Sequence, residues 1–373
     1  MKGVQTNKSN LTQSAQNTTI CFFNSSKDWG GGEKWHFEMA SYLQSQGYKV
    51  IVCCYPGSVL HEKAVKSSVT VRNYKISNSS FLNPFLIKKL KSFFVKEGIS
   101  HLIINLPSDL KAAGMAAHKA SVPRIIYRRG SAKPIKNSMF NRYLFKNIIH
   151  LIITNSEETK KTILQNNKDI FPKHKIKVIY NGIQVKDYDS SIKIMNPNNI
   201  VIGTAGRLSK EKGHSRILDV ALLLKKRGLP FTLKIAGTGP EEKNLKEKTK
   251  NLELKKYIHF VGFIDPFKSF LKDIDIFVLP SYYEGFGYVL IEAMAAEKPV
   301  LSFDIGAAQE IIAHEKNGYI ISNDDLESMA KKIETLAHKP ELHKQFGSKG
   351  RQIVQEKFSS EKMHELFILT TGL

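Results

Sequence analysis

Residues 274–293 read IDIFVLPSYYEGFGYVLIEA: an apolar run, a Gly-Phe-Gly turn, then the start of a helix. The run has the length and apolar content of a buried strand. A strand that turns on glycine into a helix presents backbone N–H groups to an anionic ligand. Two glutamates separated by seven residues flank the turn, Glu284 within it and Glu292 on the helix. A carboxylate repels phosphate, so a pure phosphate site is a poor fit. A ligand carrying both hydroxyls and a diphosphate fits better. The plainer reading is a helix start with Glu near the positive end of the dipole.

A second stretch narrows the choice. IVIGTAGRLSKEKG at 200–213 reads as a buried strand, a glycine turn and a loop that carries Arg207 and Lys212 into a Leu-rich helix. Arg as a fork and Lys as a point charge bind a diphosphate well, although a solvated loop is the plainer reading. Together the two stretches resemble the retaining GT-B glycosyltransferases of family four, the glycosyl transferases group 1. In that family a Glu-x7-Glu motif follows a strand in the second of two Rossmann-like domains, and the Gly-Arg-Leu and Glu-Lys-Gly pair holds the donor's phosphates. The resemblance spans residues 18–358 and is densest over 200–321. It implies Arg207, Lys212 and Glu284 as the catalytic residues, with the two cations stabilising the leaving diphosphate. Glu284 and the backbone of Gly285, Phe286, Gly287, Tyr288 and Val289 would hold sugar hydroxyls and phosphate, and Glu292 the ribose hydroxyls. Gly262 and Ile264 join the donor side on the same ground.

The later runs keep one rhythm. FTLKIAGTGPEE at 231–242, YIHFVGFID at 257–265 and KPVLSFDIGAAQEII at 298–312 are short apolar runs, each followed by Gly or Pro and a helical stretch. Strands alternating with helices mean an α/β chain with parallel sheets and ligands at their carboxyl ends. A chain of 373 residues exceeds the size at which one core keeps growing. The expected fold is GT-B, two Rossmann-like doubly wound domains facing across a cleft. The limits read as a disordered leader at 1–17, an acceptor-side domain at 18–190, a donor domain at 198–355 and a C-terminal helix at 356–373 that can return to the first domain. Asp273 and Asp275 form an Asp-x-Asp pair, a metal signature in another glycosyltransferase fold. Here they lead straight into the buried strand, so Asp275 reads as a strand-edge residue and no metal is expected.

The first half holds the acceptor side. ICFFNSSKDWGGGEKWHFEMASYLQSQGYKVIVCC at 20–54 passes from a strand through a glycine loop into a helix. The family places a Gly-Gly-x-Glu loop near the donor diphosphate and the acceptor, so the resemblance implies Gly30 and Gly31 on the donor side and Glu33 on the acceptor side. An ordinary strand-to-helix turn is the alternative. Many members carry a His after the strand equated with 124–127, where it touches the donor sugar. This chain has Arg128 and Arg129. They and Lys133 are read on the acceptor or sugar side, implying an acidic group there; a pair of solvated arginines is the other reading. Asn155 and Ser156 mark a helix N-cap. The stretch 81–98 has Leu86, Ile87, Leu90, Phe93 and Phe94 at helical spacing and can cover a sheet or lie on an anionic membrane.

Charge is uneven. The net charge is +22, and residues 1–190 hold 29 Lys and Arg against 11 Asp and Glu while 191–373 hold 27 against 23. No acidic residue occurs over 110–156, which carries nine basic ones. Such a field attracts an anionic partner: a saccharide or lipid-linked saccharide acceptor, or an anionic membrane surface. Neither zinc-finger spacing nor any RNA- or DNA-recognition motif is present, so nucleic acid is not expected. Cys21, Cys53 and Cys54 lie in or beside apolar runs, which argues against a disulfide framework. No run approaches the length of a membrane span, and residues 1–17 lack the apolar core of a secretory signal. The expected place is the cytoplasm, peripheral on the inner face of the membrane. The expected function is transfer of a sugar from a nucleotide diphosphate sugar to a saccharide, in cell-surface polysaccharide or lipopolysaccharide synthesis, with no cofactor. The rivals are another GT-B nucleotide-sugar enzyme, an epimerase or hydrolase needing no acceptor, and a non-enzymatic anion-binding module, which would not need the donor constellation.

Overall fold

In the computed structural model, residues 18–165, 169–188, 196 and 198–373 are described; the leader expected at 1–17 lies outside them. The chain divides into two compact units, one running to Tyr180 and joined by His364–Leu373, the other Asn181–Met363. Each is built on one sheet of parallel strands.

In unit 1 the strands are β1 (Thr19–Asn24), β2 (Lys49–Cys54), β3 (Thr70–Asn73), β4 (Ile99–Ile104), β5 (Arg124–Arg129), β6 (Leu151–Thr154) and β7 (Ile176–Val178), in the order β3-β2-β1-β4-β5-β6-β7. Unit 2 holds β8 (Ile200–Ala205), β9 (Phe231–Ala236), β10 (Ile258–Gly262), β11 (Ile276–Leu279), β12 (Val300–Phe303) and β13 (Gly318–Ile321), in the order β10-β9-β8-β11-β12-β13. Every residue of β1, β11 and β12 is buried. Helices on both faces of a parallel sheet exclude water from both, so such strands read as continuous apolar runs rather than alternating ones.

The orders reverse between β1 and β4 and between β8 and β11. At such switch points the loops diverge beyond the strands' carboxyl ends and leave a crevice. Local signals set the helices around the sheets. Asn83 caps Pro84–Glu97 by accepting from the Leu86 N–H, and Gly98 ends that helix at φ +63°. Ser156 accepts from the Thr159 N–H at 2.9 Å and caps Glu157–Leu164. Ile87, Leu90 and Phe94 are buried on Pro84–Glu97, so that helix covers its sheet.

The unit boundary at Tyr180 lies earlier than the limit at residue 190 read from sequence. Ile183 donates its N–H to the Phe358 carbonyl, and the Tyr188 hydroxyl donates to Glu292, so this segment packs within unit 2. At the other end of the chain, the Phe367 ring lies 5.6 Å from Trp35 and His364 stacks on Tyr42 at 3.9 Å, all within unit 1.

Candidate active site

Lys212 and Glu284 meet at the β8/β11 switch point. Lys212 closes the short helix Lys210–Lys212 after β8, and Glu284 lies in the loop after β11. Lys212 Nζ donates to Glu284 Oε2 at 2.8 Å, joining side chains 28% and 16% exposed. Backbone bonds hold the same two loops together, as the Tyr282 N–H donates to the Glu211 carbonyl at 2.8 Å. Arg207 is exposed on the β8 loop.

Glycine allows this approach. Gly213 has φ +64°, and a Cβ there would sit 2.1 Å from the Pro280 carbonyl oxygen. Gly306, at φ +51°, would place one 1.9 Å from the Glu284 carbonyl oxygen. Gly206 donates to the Ala236 carbonyl, and Gly237 donates to the Gly262 carbonyl at 2.7 Å. The loops after β8, β9 and β10 therefore lie backbone against backbone, with Ile264 half-buried beyond Gly262. Phe286 is buried and anchors its loop edge-on against Phe358 at 5.7 Å.

Glu292 lies on the helix Tyr288–Ala295, where Gly287 stands at the N-cap with φ +97° and Val289 is half-buried. Its carboxylate is buried and accepts from the Tyr188 hydroxyl at 2.8 Å, so one oxygen has a fixed direction. The Tyr288 hydroxyl donates to the Gly182 carbonyl. Asp273 and Asp275 precede β11, at the end of the strand away from this crevice. Asp275 accepts from the Val201 N–H at 2.8 Å and Asp273 pairs with Lys234 at 3.2 Å. Among the described residues, no group of three or more His, Cys, Asp or Glu could hold a metal.

Unit 1 carries a buried polar cluster at its own switch point. Gly30 is the N-cap of the helix Gly31–Ser45, so Gly31 and Glu33 lie in its first turn rather than in a loop. A Cβ at Gly32 would meet the tip of the Asn105 side chain, Nδ2 at 2.6 Å, where the helix abuts the end of β4. Glu33 is 7% exposed and accepts from Asn24 at 3.1 Å. Burial pushes its carboxyl above the usual range. Asp109 accepts from the Ser25 N–H at 2.9 Å and from the Ser25 hydroxyl at 2.5 Å. Its complete burial, with Glu33 nearby, raises it to about 7 in spite of those bonds.

Arg128 and Arg129 are not the solvated pair that sequence left open: they are 2% and 7% exposed. β5 lies inside the sheet, between β4 and β6, and its final residues are covered. Arg128 donates to Asn105 at 3.2 Å and lies 4.8 Å from the Trp35 ring centre. Arg129 donates to the Tyr127 hydroxyl and the Lys133 carbonyl, while Lys133 itself is exposed.

Comparison with known families decides the identity. The glycosyl transferases group 1 family matches residues 186–353, and Glycosyltransferase Family 4 matches residues 29–187. The chain is a GT-B glycosyltransferase of group 1. An uncharacterized glycosyltransferase of Haemophilus influenzae is 26% identical over 90% of this chain and 94% of its own length. The capsular polysaccharide biosynthesis glycosyltransferase CapM of Staphylococcus aureus is 30% identical over 57% of this chain and 59% of its own. The Anabaena protein HepE, solved in complex with UDP, superposes with a TM-score of 0.82 at 21% identity, covering 95% of this chain and 99% of that one.

The glycosyltransferase also holds residues that its motifs do not announce. Arg216 is 3% exposed, donates to the Pro280 and Ser281 carbonyls at 3.3 Å each and lies 3.5 Å from the Phe303 ring centre. It clamps the loop that carries Glu284. His214 and His36 are buried with neither ring nitrogen hydrogen-bonded. Burial holds His214 at about 4 and His36 well below its usual range, with Arg128 adding to the effect at His36. His214 follows Gly213 directly and is findable from the loop motif. Asp109 and Arg216 stand in no motif, because their partners are distant in sequence.

Proposed function

We propose that this glycosyltransferase moves a sugar from a nucleotide diphosphate sugar to a saccharide acceptor with retention of anomeric configuration. The observation that carries the reading is the Lys212–Glu284 pair at the β8/β11 switch point, with exposed Arg207 on the same loop. In the transfer, the bond from the anomeric carbon to the diphosphate oxygen breaks, one to the acceptor oxygen forms on the same face, and the acceptor hydroxyl's proton passes to the departing diphosphate. Arg207 and Lys212 take up the charge that develops on the leaving diphosphate. Fixed cations act most strongly where charge appears in the transition state. Glu284 receives sugar hydroxyls and the 285–289 backbone meets sugar and phosphate. Glu292, oriented by Tyr188, receives the ribose hydroxyls. Gly30 and Gly31 belong to the donor side, and Glu33, Arg128, Arg129 and Lys133 to the acceptor or sugar side. Because Glu33 and both arginines are buried, we assign them to positioning, and Lys133 to contact.

The acceptor is proposed to be an anionic or lipid-linked saccharide, and the product a cell-surface polysaccharide or lipopolysaccharide. The balance of residues 1–190 and the likeness to CapM support this. Two cations already serve the diphosphate, so the reaction is proposed to need no metal. HepE binds UDP, which puts uridine nucleotides first in a donor panel. The test is a thermal-shift panel of UDP, GDP, ADP and CMP, followed by proton NMR of the product made with the matching nucleotide sugar. The reading expects one nucleoside diphosphate to raise the melting temperature and a product with the donor's anomeric configuration. An inverted product, or donor turnover that ignores every saccharide acceptor, contradicts it.

A further inference from the structure

Two stretches without an acidic residue, 63–96 and 110–156, contribute to one surface of unit 1. There Phe81 stacks on Phe140 with ring centres 4.8 Å apart, and both rings pack against the core. The stacked pair ties the short helix Ser80–Leu82, just before the helix Pro84–Glu97, to the helix Met139–Tyr143. Around it Met139 is 89% exposed, Phe85 81%, Leu82 70% and Tyr143 46%. Cations surround them. Lys111 Nζ lies 5.7 Å from the Phe81 ring centre, Lys88 and Lys89 are exposed one turn beyond Phe85, and Arg142 and Lys146 are exposed beside Tyr143.

Scattered exposed apolar residues are normal, whereas a grouped set with a polar rim marks an interaction site. The charged residues of the rim are all cations, so the occupant is anionic. Large apolar side chains set among lysines suit the boundary between headgroups and acyl chains. No helix among the described residues is long and apolar enough to cross a membrane. We infer that Leu82, Phe85, Met139 and Tyr143 enter the interface of an anionic lipid bilayer, with the surrounding cations on its headgroups. The inference deepens the proposed reading of the basic half, because it names the surface that meets the anionic partner.

The full chain is mixed with vesicles of phosphatidylcholine alone or with added phosphatidylglycerol, without donor or acceptor. Failure here therefore leaves the transferase reading intact. Binding should require phosphatidylglycerol and weaken steeply with salt, since exposed charges act over roughly one Debye length, about 8 Å at physiological ionic strength. Each lysine at an anionic surface is worth about fivefold in affinity, so K88Q with K89Q should lower binding about 25-fold. F85S with M139S should release the protein while its melting temperature holds. The emission of F85W should shift to the blue and be quenched by acyl-brominated lipids; that of L369W, exposed outside both stretches, should not. An unquenched F85W, or parental binding by both double variants, overturns the inference. So does a concentration-dependent dimer that F85S with M139S abolishes in the absence of vesicle binding, since a second copy would then own the surface.

Discussion

Lys212 has a carboxylate partner of its own at 2.8 Å, which fixes the sign of one substitution. On the proposed reading, a nucleoside diphosphate would share this lysine with Glu284. Glu284→Gln should therefore leave affinity for the bare nucleotide unchanged or tighter, while sugar transfer falls about a hundredfold through lost transition-state bonds. Glu292→Gln should weaken both. Calorimetric titration beside kcat separates these outcomes, and equal loss of nucleotide affinity in the two variants would reverse the assigned roles. Asp109 sets a second residue-scale expectation. Its folded carboxyl titrates at about 7, against about 3.9 in an unfolded chain. The folded state holds a proton that the unfolded state has lost, so the group's stabilising contribution is full below about pH 4. It disappears as pH rises to about 7, with a slope of at most about 1.4 kcal/mol per unit. Asp109→Asn keeps an acceptor for the Ser25 N–H and a donor for its hydroxyl, and removes that slope. His101 and His214, held at about 4 by burial, act oppositely: their contribution is lost as pH falls from about 6.5. Urea midpoints of parent and variant should thus be compared at each pH. The parent should lose ground to Asp109→Asn between pH 5 and 7.5, and parallel profiles would refute the assignment.

The loops act as elements because glycine lets them touch. Gly213→Ala combines φ +64° with a Cβ placed 2.1 Å from the Pro280 carbonyl oxygen. Gly228, at φ +74° with nothing within 4 Å of its Cβ, supplies the control. Gly228→Ala should cost about 1 kcal/mol of backbone preference. Gly213→Ala should add strain of order 1–3 kcal/mol and lower turnover, because the Lys212 and Glu284 loops must part. Equal stability and equal turnover in the two variants would show that the approach is unimportant. These loops are legible in sequence, because each is a local pattern: an apolar run, glycines, then charged residues at fixed spacing. The bond between Lys212 and Glu284 is not, since it joins residues 72 apart through the β8–β11 pairing. The same limit hides Arg216, whose partners sit on another loop, and the Ser25–Asp109 pair across β1 and β4. The burial of Arg128 and Arg129 is unreadable for a different reason. Their strand ends in charges as an exposed strand would, and only its place inside the sheet covers them.

At the scale of the whole molecule, charge is uneven along the chain. The stretches 200–213 and 274–293, which we propose hold the donor, lie where acidic and basic residues nearly balance, and the excess of cations lies in residues 1–190. A purely electrostatic binder would not need the first set, and a catalyst acting on neutral substrates would not need the second. The central claim is that this glycosyltransferase turns over a nucleotide diphosphate sugar through Arg207 and Lys212. Its most direct test is release of nucleoside diphosphate from a panel of nucleotide sugars with saccharide acceptors, measured with EDTA present, for the parent, Arg207→Ala and Lys212→Ala. The parent should turn over one donor without an added metal. Each variant should fall about 10²- to 10³-fold, the loss typical of removing a donor to developing negative charge, with its circular dichroism and melting profile retained. Parental rates in both folded variants, or activity that appears only when a divalent cation is restored, would contradict the account.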